Sequence, residues 1–193
     1  MEDKKAKKQF YQDYINEIER GNWRAELSIK TLEHIREGIR MEFDRIEDKI
    51  KGIDEEIERK MTELKLPLDK IEEIKTTKSS IEDDPEKLKY LNPESQAKHK
   101  DDIRRDTKIK RENKIVGWGG TDTKIITELG ELFEVRDRFQ LDADVMQEQM
   151  MGKFIETEGE YKGGLDEEIK SIKGKIIGGE EFKALINREL KKL

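Results

Sequence analysis

Two histidines, a run of lysines and arginines, one glycine-rich turn and a small group of methionines are the features of this sequence that could carry chemistry. His34 and His99 lie in separate segments and the chain has no cysteine. Neighbouring positions therefore assemble no paired-histidine metal site, no thiolate nucleophile and no nucleophile triad. Asp and Glu number 46, so an acidic pair is uninformative; Asp83/Asp84 and Asp101/Asp102 could bind a hard cation or simply be solvated. Met146, Met150 and Met151 form a soft cluster at helical spacing, which suits core filling or an adaptable interface. The expectation is a non-enzymatic chain with no catalytic residue, metal site or cofactor.

The segment KHKDDIRRDTKIKRENK, residues 98–114, carries eight Lys/Arg against four Asp/Glu. Arg104, Arg105, Lys108, Lys110, Arg111 and Lys114 are its candidate phosphate contacts, because clustered cations displace the counterions of a nucleic-acid backbone. The competing reading is a solvated helix with internal pairs such as Asp101/Arg105 and Asp106/Lys110, lacking aromatic residues for base stacking. KIVGWGGTDTK, residues 114–124, fits a strand, a glycine turn and a helix start. Its glycine spacing matches neither phosphate-loop pattern, and Asp122 would repel an anion there. Trp118 is expected to fold onto a neighbouring helix or, if exposed, to contact a partner.

The elements that must position these residues follow from composition and periodicity. Of 193 residues, 45% are charged, 33% hydrophobic and 6% aromatic. So little apolar material suits helices that each bury one stripe better than a sandwich or a doubly wound sheet. Disorder is the rival for so polar a chain, and the regular spacing of Ile argues against it. A net charge of −6 over mixed signs gives no general case for nucleic acid or membrane. No stretch approaches the ~18 apolar residues of a membrane span, and no apolar leader opens the sequence. The expected location is the cytoplasm, or a virion if the protein is viral. Enrichment in Lys, Glu and Ile without Cys fits a thermophilic source, or equally an AT-rich genome.

From Leu32, one stripe runs through Ile35, Ile39, Phe43, Ile46, Ile50, Ile53, Ile57, Met61, Leu64 and Leu68 in steps of three or four, a mean of about 3.6 that predicts a nearly straight helix. Gly21-Asn22 predicts a break upstream, and Pro67 an end or kink. A matching helix spans Asp122 to Tyr161, with Ile125, Leu129, Leu132, Phe133, Phe139, Ala143, Met146, Met150 and Phe154 on its main line. Ile126, Val135, Leu141, Val145 and Met151 fall off that line, which predicts a third helix or another subunit. Between them, Asp84-Pro85 and Asn92-Pro93 mark starts of short helices. After Gly163-Gly164, two short amphipathic helices are expected, separated by Gly178-Gly179: Leu165, Ile169, Ile172 and Ile176, then Phe182, Leu185, Ile186, Leu190 and Leu193. They either fold back or dock on another molecule.

These readings make an all-α protein, an antiparallel helical hairpin or coiled-coil-like bundle with short helices in connector and tail. Its expected segments are a long arm (1–75), a polar connector (76–121), a second long helix (122–162) and a tail (163–193). Packing and self-association are assigned to Ile35, Ile39, Phe43, Ile46, Ile50, Ile53, Ile57, Leu129, Phe133, Phe139, Met146 and Met150. Trp118, Phe182, Leu185 and Ile186 are candidate partner contacts. The expected function is helical scaffolding or assembly, including a viral structural role, through homo-oligomers and protein partners; the alternative is nucleic-acid binding by residues 98–114.

Overall fold

The computed structural model describes residues 2–192, apart from the side chains of Glu2, Asp3 and Pro85. The fold is all-α save for one small hairpin. In chain order it comprises α1 (Glu2–Glu63), a 3-10 turn (Leu68–Lys70), α2 (Ile71–Lys75), α3 (Pro85–Leu88), α4 (Pro93–Gly117), α5 (Thr123–Met151), β1 (Gly152–Ile155), β2 (Glu160–Gly163) and α6 (Leu165–Leu190). The chain divides into two compact units, Met1–Asp44 with Asp144–Leu193, and Arg45–Ala143.

In the Arg45–Ala143 unit, the end of α1 pairs antiparallel with α5. Lys49 lies over the Phe139 ring, Arg136 donates to Asp54 at 2.7 Å, and Lys60 bonds Glu128. One core joins Ile57 and Met61 of α1, Leu66, Ile71 and Ile74 beyond it, Ile115 of α4, and Ile126, Leu129 and Phe133 of α5. The third helix that the off-line residues call for is thus α4 for Ile126. α4 is 25 residues long rather than short, started by Asn92, whose side chain accepts from the Ser95 N–H at 2.8 Å, and by Pro93 behind it. Ile115 and Val116 lie in this helix and form no strand, since Ile115 continues the helical line into the core. The glycines that follow stop the helix: Gly119 takes φ +99° and the Gly120 N–H returns to the Ile115 carbonyl. α1 ends before Pro67, with Lys65 at φ 56° and the Leu66 N–H bonded to the Met61 carbonyl.

In the other unit, α6 packs antiparallel on α1. Glu19 meets Lys183, Asn22 donates to Glu180 at 2.7 Å, Glu33 meets Lys173, and Arg36 donates to Asp166 at 2.7 Å. α1 runs unbroken through Gly21-Asn22, because both flanks are tied to α6 and one interior glycine costs only ~1 kcal/mol. The tail is one helix, not two. Gly179 faces α1, where a Cβ would come within 2.9 Å of Asn22 Oδ1, so this glycine permits close approach and makes no hinge. Leu193 lies outside the described residues.

Two further expectations change. The second long helix ends at Met151; Gly152 takes φ +88°, and a Cβ there would sit 1.9 Å from the Lys162 carbonyl oxygen. Residues 152–163 then form an antiparallel hairpin in which Phe154 pairs with Tyr161. On α1 the covered line is Ile15, Ile18, Asn22, Ala25, Ile29, Leu32, Arg36, Ile39, Phe43, Ile46, Ile50, Ile53 and Ile57, all buried or half-buried. Its steps alternate three and four, the 3.5-residue period of coiled coils rather than 3.6. Arg36, with its carboxylate partner, holds the place that apolar spacing assigned to Ile35, which is 46% exposed.

Candidate functional site

The basic segment lies on α4, and its cations are largely engaged inside the Arg45–Ala143 unit. α2 is short, and its final carbonyls have no following turn to bond to. Arg111 supplies what the helix lacks: its Nε donates to the Ile74 carbonyl at 3.1 Å and its Nη2 to the Lys75 carbonyl at 3.2 Å. Its Nη1 donates to Asp137 Oδ2 at 2.7 Å, and the guanidinium lies 5.4 Å from the Phe133 ring centroid. Lys114 reaches the Glu73 carbonyl and carboxylate, and Lys110 the Lys78 carbonyl and Asp106. Positive charge at the negative end of a helix dipole is favourable, so sequence and local field agree here.

Lys108 pairs with Glu131 across to α5, and Arg104 with Asp101 one turn away. Arg105 is exposed and has no ion pair among the described residues. Five of the six candidate phosphate contacts thus have carboxylate partners. Asp106 accepts from the Ser79 hydroxyl at 2.6 Å and from the Ser80 N–H at 2.8 Å, and these bonds hold its carboxyl below the usual range. A cavity of about 190 Å³ between α4 and α5 is lined by Arg104, Lys108, Arg111, Glu134, Asp137 and Arg138, both signs together.

Trp118 is half-buried against the core of this unit, with the Lys70 ammonium 5.5 Å from its ring centroid. Among the packing candidates, Ile46, Ile57, Leu129 and Phe133 are buried, while Ile39, Phe43, Ile50, Ile53, Phe139, Met146 and Met150 are half-buried. Ile186 is buried under α6, whereas Phe182 and Leu185 are exposed, Phe182 meeting Tyr14 edge-on at 6.1 Å. His34 is exposed; His99 Nε2 is buried without a hydrogen bond among the described residues, 3.9 Å from an Asp83 oxygen. No group of three or more His, Asp or Glu among the described residues is placed to hold a metal ion. No helix of the described residues is long and apolar enough to cross a membrane.

No model of a protein family, no curated protein and no solved structure matches the chain.

What stands out chemically is uncovered apolar surface on the unit formed by Met1–Asp44 and Asp144–Leu193. On α1, Trp23 is 65% exposed and Leu27 and Met41 each 53%. Ile177 and Leu185 of α6 and Phe154 of the hairpin are exposed as well. Apolar spacing along α1 had pointed to Ile35 and to one buried stripe; Trp23, Leu27 and Met41 were legible only as residues that stripe leaves out.

Proposed function

We propose that this chain is a non-enzymatic helical assembly protein that works by self-association and by helix-mediated contacts with protein partners. The observation that carries the reading is the exposure of Trp23, Leu27 and Met41 together on one helix. Large apolar side chains grouped on a surface mark interaction sites more often than single exposed ones do. A cytoplasmic or virion component of this kind needs rigid helices with a covered core on one side and an adhesive face on the other. Both features recur on α1.

Absolute mass by light scattering across a wide concentration range tests the proposal. A defined oligomer, or mass that rises with concentration, is the expected result. A monomer at every concentration overturns self-association. Nucleic-acid contact through residues 98–114 would have to compete with the carboxylates already paired to Arg104, Lys108, Lys110, Arg111 and Lys114. Salt-sensitive binding to DNA or RNA that weakens on neutralising Lys108, Lys110 and Arg111 would revive it.

A further inference from the structure

The face of α1 turned away from α6 has an order of its own. Trp23, Leu27, Lys30, His34, Glu37, Met41 and Asp44 follow one another in steps of four and three, and every one is exposed. Their period is that of the covered line, and at ~100° per residue they lie roughly 150° around the helix from it. A single helix therefore bears two coiled-coil seams, of which α6 fills one. Charge along the open seam is divided by position. Arg20, Arg24 and Lys30 stand at its N-terminal half, Glu37 and Asp44 at its C-terminal half. Arg20 pairs loosely with Glu17 at 3.7 Å and Glu37 with Arg40 at 3.1 Å, all four exposed, so these bonds are easily exchanged. Arg24, Lys30 and Asp44 have no ion pair among the described residues.

Resting on the self-association reading, we infer that this seam docks the same seam of a second copy, antiparallel, with Trp23 facing Met41 of the other copy. Parallel pairing would set Arg24 against Arg24 and Asp44 against Asp44, which repel. Antiparallel pairing about the middle of the seam brings the basic half of each copy to the acidic half of the other. In that register Arg20 stands across from Asp44, and the most exposed aromatic of the seam covers a methionine sulfur. Each pair occurs twice by symmetry, as an isologous interface requires. Opposed charges of this kind select orientation as much as they add affinity.

The chain has no cysteine, so introduced thiols report the register without background. Trp23 and Met41 of one helix are ~27 Å apart at ~1.5 Å per residue, so a disulfide joining them must link two chains. The double variant Trp23→Cys/Met41→Cys is expected to form covalent dimers under mild oxidation, and neither single variant to do so. Crosslinking of a single variant to itself would overturn the antiparallel register. Because the double variant removes apolar surface, a charge reversal supplies an independent reading in an otherwise native seam. Asp44→Arg should weaken dimerisation about tenfold or more, and Arg20→Glu/Asp44→Arg should restore it. An oligomeric parent unaffected by Asp44→Arg refutes this seam and leaves self-association standing through another face. A parent that is monomeric throughout refutes both.

Discussion

Replacing Arg111 tests whether the basic segment is structural. Arg111→Ala removes two charge-assisted bonds to the carbonyls of Ile74 and Lys75, each worth roughly 1.5–3 kcal/mol. Ile74 is fully buried, so its carbonyl gains little water in exchange. The ion pair adds less, under ~1 kcal/mol, because the Asp137 side chain is 45% exposed and is hydrated once freed. Contact with the Phe133 ring contributes about 1 kcal/mol more. These contributions overlap, and the expected loss is ~3–5 kcal/mol, the usual cost of removing one partner of a buried polar cluster. Urea denaturation measures it. Trp118 lies in the affected unit and Trp23 in the other, so a Trp23→Phe background makes the fluorescence report on Trp118. Arg111→Lys should recover less than half, since an ammonium lacks the fork that reaches both carbonyls and Asp137. Asp137→Asn should cost under ~1 kcal/mol. If Arg111→Ala stays within ~1 kcal/mol of its parent, or Asp137→Asn matches it, capping of α2 is not what holds this residue in place.

Three other perturbations follow from local geometry. Lys65 occupies a left-handed position at the end of α1, so Lys65→Gly should raise stability by up to ~1 kcal/mol, and a lower urea midpoint would contradict that. Gly152→Ala forces a methyl group into the Lys162 carbonyl, so a Glu-specific protease should cut between residues 156 and 160 faster while helical circular dichroism is retained; unchanged cleavage would count against the hairpin. The Asp106 carboxyl is held below its ordinary 3.8 by Ser79 and then Ser80, so its contribution is full above that pH and is lost as pH falls through the depressed value. Asp106→Asn should accordingly be less stable at neutral pH and show a shallower loss of stability in acid; an acid titration parallel to the parent's would refute the assignment.

Apolar spacing made α1 and most of α5 legible, because a stripe of Ile and Leu at three and four dictates a helix whatever it packs against. The same reasoning placed the starts of α4 and α5: Asn92 and Asp122 accept main-chain N–H bonds in the first turn, a matter of local chemistry. Glycine was harder to interpret. Gly152 stops a helix, Gly179 lets two helices close on each other, and Gly21 does neither, yet the residue type is one and the neighbours differ. Polar residues on a buried line were invisible to a hydrophobic criterion, which is why Ile35 stood in for Arg36 and the period came out at about 3.6 instead of 3.5.

The sequence by itself determined that the chain is helical, which segments carry stripes and where their caps fall, because these depend on residues within a few positions of one another. Only the tertiary structure decided that the cations of residues 98–114 serve carbonyls and carboxylates of the same unit, and that one face of α1 is covered while the opposite face is open. Those outcomes depend on which surfaces meet across more than thirty residues of chain, and no periodicity along one helix contains that information.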